Sequence, residues 1–199
     1  MRRPSRILKI AIGISLATGW CLVSGTQAFA QHAIETIDTQ AYGTSTQLGR
    51  QHEVKIFIYA FSTQQDWRVL MDAFREGGND GMVTALSKMK AVGHIQMAGT
   101  PGYDLVYIHE ALTPTGRQIQ FVTNRRITFR EAYHDTRSQS YNVTAGQINL
   151  LEENKSKSDG FLYPAAQLGI NQDGQLQFDL TRNPWRLGNV IDWKLGPPR

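Results

Sequence analysis

From Val92 onward the chain is a succession of short runs rich in β-branched and aromatic residues, each cut off by a turn signal. Strands joined by tight turns must run antiparallel, so this rhythm confines the body of the protein to an antiparallel sheet. Residues 93–97 read as a short strand and Thr100-Pro101-Gly102 as a turn. Residues 103–110 form a strand with Leu105, Tyr107 and His109 on one face. Thr113-Pro114-Thr115-Gly116 then turns the chain into 117–123, where Ile119 and Phe121 share a face. Further strands are expected at 127–132, at 141–152 with an interruption at Gly146, and at 187–194. One more is expected at 161–170, where Pro164 favours an edge or a bulge. Asp173-Gly174 is a hairpin signal, followed by Leu176, Phe178 and Leu180 alternating with polar residues.

Ahead of this β-rich stretch, residues 54–61 are a dense apolar run with strand character. Ser62-Thr63 offers a helix N-cap, with Asp66 three residues after Thr63 in the first turn. Trp67, Leu70, Met71 and Phe74 make an amphipathic stripe, and Gly77-Gly78 ends that helix. Asn79 caps a second one, with Met82, Ala85, Leu86 and Met89 inward. The expected class is α+β: an N-terminal strand and a helical hairpin packed on a curved antiparallel sheet of about seven or eight strands, sandwich- or barrel-like.

The first 30 residues differ from the rest. Arg2, Arg3, Arg6 and Lys9 precede a short apolar run, and Ala28-Phe29-Ala30 supplies an A-x-A exit, the three parts of a secretory signal. The organisation expected is a signal peptide over 1–30, a flexible polar lead-in over 31–50, a single domain over 51–194 and a frayed tail over 195–199. The product would be periplasmic or secreted, with no membrane span after cleavage. Of 21 Lys and Arg against 17 Asp and Glu, four basic residues leave with the signal. The remainder is balanced at 17 of each sign, which gives no basic surface for nucleic acid. The single cysteine, Cys21, leaves too. No disulfide, thiol nucleophile or thiolate ligand is then available, and about 169 residues must be held by a hydrophobic core.

The segment Lys88-Met89-Lys90-Ala91-Val92-Gly93-His94-Ile95 is followed by Gly99-Thr100-Pro101-Gly102-Tyr103-Asp104-Leu105. With Gly116-Arg117, Phe129-Arg130-Glu131-Ala132 and Arg137-Ser138, these resemble a family of uncharacterised secreted bacterial proteins, over roughly residues 52–193. The resemblance implies one exported domain with a helical segment and a β-rich body. It implies no activity and carries no catalytic residues. His109 and His134 match no pattern of that group.

Chemistry-bearing clusters are sparse. Glu131, His134 and Asp135 fall within five residues and combine an imidazole with carboxylates, the ingredients of acid–base or metal-assisted hydrolysis. On a strand Glu131 and His134 would face apart, so only a loop would unite them. His94 and His109 lie on neighbouring expected strands, but a metal site there needs a third ligand; no metal or other cofactor is expected. Recurrent strand aromatics, with Tyr59, Tyr107 and Phe121 as ligand-binding candidates, fit either a packed core or an apolar pocket beneath the helices.

The function expected is therefore a non-enzymatic exported binding domain for a small apolar or amphipathic ligand or for an envelope protein partner. The alternative is a periplasmic hydrolase using His134 with Glu131 or Asp135. A third reading places a partner on the exposed 153–160 loop or on an uncovered sheet edge. Export with cleavage after Ala30 makes the purified chain begin at Gln31, and its intact mass checks this; a chain retaining Met1 would reject cleavage.

Overall fold

The computed structural model describes residues 32–124, 143–172, 176–179 and 184–194. Among them are nine strands: β1 (Glu35–Tyr42), β2 (Gln51–Ile58), β3 (Gly93–Met97), β4 (Tyr103–Thr113), β5 (Gly116–Thr123), β6 (Val143–Leu151), β7 (Asp159–Ile170), β8 (Leu176–Asp179) and β9 (Trp185–Lys194). A helical element, α1 (Gln64–Leu86), joins β2 to β3. The strand order is β6-β5-β4-β3-β2-β1-β9-β7-β8, and β6 also pairs with β7. Eight strands therefore close on themselves as an antiparallel barrel, while β8 extends outward from β7. The expected curved sheet resolves into its barrel form. The expected strand at 127–132 lies outside the described residues.

Period-2 alternation builds the barrel interior. Val54, Ile56 and Ile58 of β2, Ile119 and Phe121 of β5, and Ile148 and Leu150 of β6 are buried in one cluster with Ile37, Ile95, Ile108, Leu162 and Leu187. An eight-stranded barrel is just wide enough to be filled by its own side chains, and here they fill it. β1 corrects the expected polar lead-in at 31–50. It alternates between buried and half-buried positions along its whole length, and Glu35, Ile37, Thr39 and Ala41 all point inward. Two of these four are polar, which hid the strand pattern. Thr39 Oγ1 donates to the Gly188 carbonyl at 2.9 Å, so its polar atom is satisfied within the wall.

The α1 element starts as expected. Thr63 Oγ1 accepts from the Asp66 N–H at 3.2 Å, and Asp66 Oδ2 accepts from the Thr63 N–H at 2.7 Å, a reciprocal capping box. The helix breaks at Gly78, whose φ of 58° and ψ of −142° suit glycine. Two limbs result, and they approach so closely that a Cβ at Gly81 would meet the Ala73 carbonyl oxygen at 2.2 Å. Asn79 does not cap the second limb as expected. Its Oδ1 instead accepts from the Leu168 N–H at 2.9 Å, tying the bend to β7. Leu70, Met82 and Leu86 pack on the outside of the barrel wall against Val106, Tyr107, Val122, Val143, Ala145 and Tyr163. The protein thus has two apolar layers, one inside the barrel and one between the wall and α1.

Two bulges aim side chains into that outer layer. The β4–β5 register skips between Leu105 and Tyr107, and both Val106 and Tyr107 then join the outer layer. The β6–β7 register skips opposite Pro164, where a bulge was expected. There Thr144 Oγ1 donates to the Pro164 carbonyl at 2.6 Å, and Thr123 Oγ1 accepts from the Thr144 N–H at 2.9 Å. Inside the barrel Phe121 is opposite Gly146, and a Cβ there would come 2.2 Å from the ring. The glycine within this strand is the hollow that receives the Phe121 ring. Gly146→Ala should cost about 1–3 kcal/mol through overpacking. In a Phe121→Leu background the same change should cost less, as a denaturation double-mutant cycle will reveal.

Candidate functional site

Four charged residues continue the inward register at one end of the barrel. Glu35 precedes Ile37 on β1, Glu110 follows Ile108 on β4, Arg117 precedes Ile119 on β5, and Asp192 follows Val190 on β9. They converge on Arg117. Its Nη1 donates to Glu35 Oε2 at 3.1 Å and to Glu110 Oε1 at 2.6 Å, and its Nη2 donates to Asp192 Oδ2 at 2.7 Å and also to Glu35 Oε1. The Arg117–Glu35 pair is bidentate, the geometry to which guanidinium is suited. Glu35 is 3 % exposed and Arg117 7 %. Three carboxylates thus share one guanidinium, and one oxygen of Asp192 is buried without a hydrogen-bond partner.

This surplus of acid affects Glu35. Burial raises its pKa above 4.5; Arg117 opposes that rise, and Asp192 adds to it. Arg117 stays protonated, because its three carboxylate partners outweigh desolvation.

Above the cluster lies a cleft of about 730 Å³ between β9 and the β6–β7 connection. Arg117 and Asp192 form its charged floor, and Leu150, Leu151, Val190 and Ile191 its apolar wall. Glu152, Lys155, Ser156 and Lys194 stand around it. The connection, which carries a 3-10 turn at Lys155–Lys157, is held to β6 by the Leu151 N–H donating to Ser158 Oγ at 3.0 Å. β9 pairs with β7 only over Trp185, Arg186 and Leu187, so its remaining length borders the cleft instead of a strand. Neither Lys155 nor Lys194 is in an ion pair among the described residues.

The aromatic candidates do not meet here. Phe121 is inside the barrel, Tyr107 is outside it beneath α1, and Tyr59 is half-buried just beyond β2. Phe121 and Tyr107 are separated by the wall and share no pocket. Tyr107 lies 6.2 Å from Trp67 and 6.4 Å from His109 by ring centroid. Burial, with Asp66 nearby, pushes its phenol up to about 12. His94 and His109 do not combine either: His94 Nε2 lies 3.0 Å from the Pro101 carbonyl and Nδ1 3.5 Å from Asp104, whereas His109 is opposite Gln120. Glu131, His134 and Asp135 lie outside the described residues. Among the described residues no group of three or more His, Cys, Asp and Glu is placed to hold a metal ion, and no helix is long and apolar enough to cross a membrane.

Sequence reasoning missed the Arg117 cluster, although a signal exists. Each of its members is a charge in phase with apolar neighbours on a strand, and a charge so placed needs a buried partner. Comparison with protein-family models, with curated proteins and with solved structures returned no match for this chain.

Replacing Arg117 by Met leaves three carboxylates without their shared partner, which should cost about 3–5 kcal/mol near neutral pH. Glu35 has a raised folded pKa, so the native state binds more protons than the unfolded state above pH 4.5, and this group's contribution to stability rises as pH falls. Without Arg117 that rise is larger. The deficit of Arg117→Met should therefore shrink between about pH 7.5 and about pH 5 in urea denaturation. A deficit that does not change with pH would show that the carboxylates are not what Arg117 relieves.

Proposed function

We propose that the protein is an exported binding protein that takes an amphipathic ligand with an anionic group into the cleft at the Arg117 end of the barrel. The observation that carries this reading is the pairing of an apolar wall, Leu150, Leu151, Val190 and Ile191, with two ammonium groups that have no acidic partner among the described residues. An apolar concavity with a few convergent polar groups is the usual setting for small-ligand capture. The filled barrel interior favours the cleft over a central cavity, because Ile37, Ile56, Ile119 and Phe121 leave the axis occupied. Export rests on the signal pattern of residues 1–30 and on the resemblance to secreted proteins.

The cleft assigns separate tasks. Lys155 and Lys194 hold the anionic group by charge, the apolar wall takes the chain, and the Ser156 hydroxyl offers a hydrogen bond. Calorimetric titration with dodecanoate tests this. Binding is expected, and the double substitution Lys155→Glu with Lys194→Glu should weaken it about tenfold or more, since it replaces attraction with repulsion at exposed positions. Dodecanoate affinity unchanged by the double reversal would remove the cleft from consideration.

A further inference from the structure

We propose that the cleft is acid-responsive: the excess of carboxylate over guanidinium beneath it opposes anionic ligands at neutral pH, and proton uptake by Glu35 relieves that opposition and tightens binding. The inference rests on the reading of the cleft as an anion-binding site and adds its regulation.

The geometry sets this up. Arg117 lines the floor of the cleft, and all its contacts with Glu35, Glu110 and Asp192 are direct. With every group ionised the cluster carries two negative charges in excess, and this excess lies close to where a ligand's anionic group must come. Protonating one carboxylate halves it. Lys155 and Lys194 at the rim, where Glu152 is the one acid among the described residues, then face a floor with one negative charge in excess instead of two.

Glu35 is the member best placed to take the proton. It is the least exposed of the three acids, at 5 % of its side chain against 32 % for Glu110 and 22 % for Asp192. Burial penalises its ionised form most directly, and its pKa is raised accordingly. The groups facing it are known from each neighbouring strand: Arg117 from β5, Glu110 from β4 and Asp192 from β9 through the cluster, apolar Ile58 opposite it on β2, and Lys194 opposite it on β9. None of these is a histidine. His52, on β2, lies 5.2 Å from the Trp185 ring, and His94 and His109 keep the partners described above.

By linkage, an anion that binds better when Glu35 is protonated must take up protons as it binds, at pH values where Glu35 is ionised in the free protein. The test uses dodecyl sulfonate, whose head group stays anionic throughout, titrated calorimetrically into the full chain between about pH 7.5 and about pH 5. Affinity should rise about tenfold on acidification, the change that corresponds to one pKa unit of coupling. Glu35→Gln should bind more tightly than the wild type at pH 7.5, with no further gain on acidification. Dodecyl maltoside, which is neutral, should show no pH dependence in either protein.

If Glu35→Gln fails to fold, the wild type alone decides the matter. Titration in two buffers of different ionisation enthalpy must then reveal proton uptake on sulfonate binding, and its absence overturns the proposal. Sulfonate binding that is indifferent to pH, or a pH dependence that survives in Glu35→Gln, overturns the gate and leaves the cleft as the binding site. No sulfonate binding at any pH overturns both.

Discussion

The fold depends on a barrel seam that is zipped unevenly. β9 closes the barrel by pairing with β1 along nearly all of both strands, from Glu35 opposite Lys194 to Tyr42 opposite Arg186. On its other side it meets β7 only at residues 185–187. In a barrel the hydrogen-bonded edges must all be used or covered, because an open edge exposes unpaired peptide groups. Here the second half of β9 extends past the start of β7, and the β6–β7 connection lies alongside in place of a strand. The cleft follows directly from this mismatch in strand ends.

The same unevenness explains why a charged cluster sits at that end. Apolar residues fill the barrel where the wall is continuous. Toward the open end the inward positions come within reach of solvent, and charge there is less costly than at the barrel's centre. Arg117 bridges β5 by side-chain hydrogen bonds to β4, its ladder neighbour, and to β1 and β9, which the backbone ladder does not join to β5 directly. A buried ionic cluster is weak evidence for added stability, since desolvation offsets most of the attraction. Its value here is positional: it fixes which strands face one another at the open end.

Local rules in the sequence reach far into this architecture. The Thr63 cap, the apolar stripe of α1, the break at Gly77-Gly78, the turn before Arg117 and the irregularity at Pro164 are all legible, because each depends on residues within one turn or one strand. Closure is not legible in the same way. Arg117 and Glu35 are 82 residues apart, and Thr39 and Gly188 are 149 apart. No local pattern marks such pairs. β1 was hidden for a related reason: its inward face alternates Glu35 and Thr39 with Ile37 and Ala41, and its two polar members are acceptable inside only because Arg117 reaches Glu35 across the barrel and Gly188 accepts from Thr39 on the neighbouring strand.

The aromatic residues illustrate the other limit of sequence reading. Alternation places Tyr107 in phase with Leu105, an interior residue, and so implies that both face inward. The bulge at Val106 reverses that phase, and beyond it the even-numbered Ile108 and Glu110 turn inward. One inserted residue thus moves Tyr107 out to α1 and brings Glu110 in to Arg117. Without the bulge, His109 would point at the guanidinium and Glu110 at solvent. The helix-packing surface and the charged floor of the cleft are therefore consequences of the same one-residue irregularity in β4, and a change that removed it would disturb both.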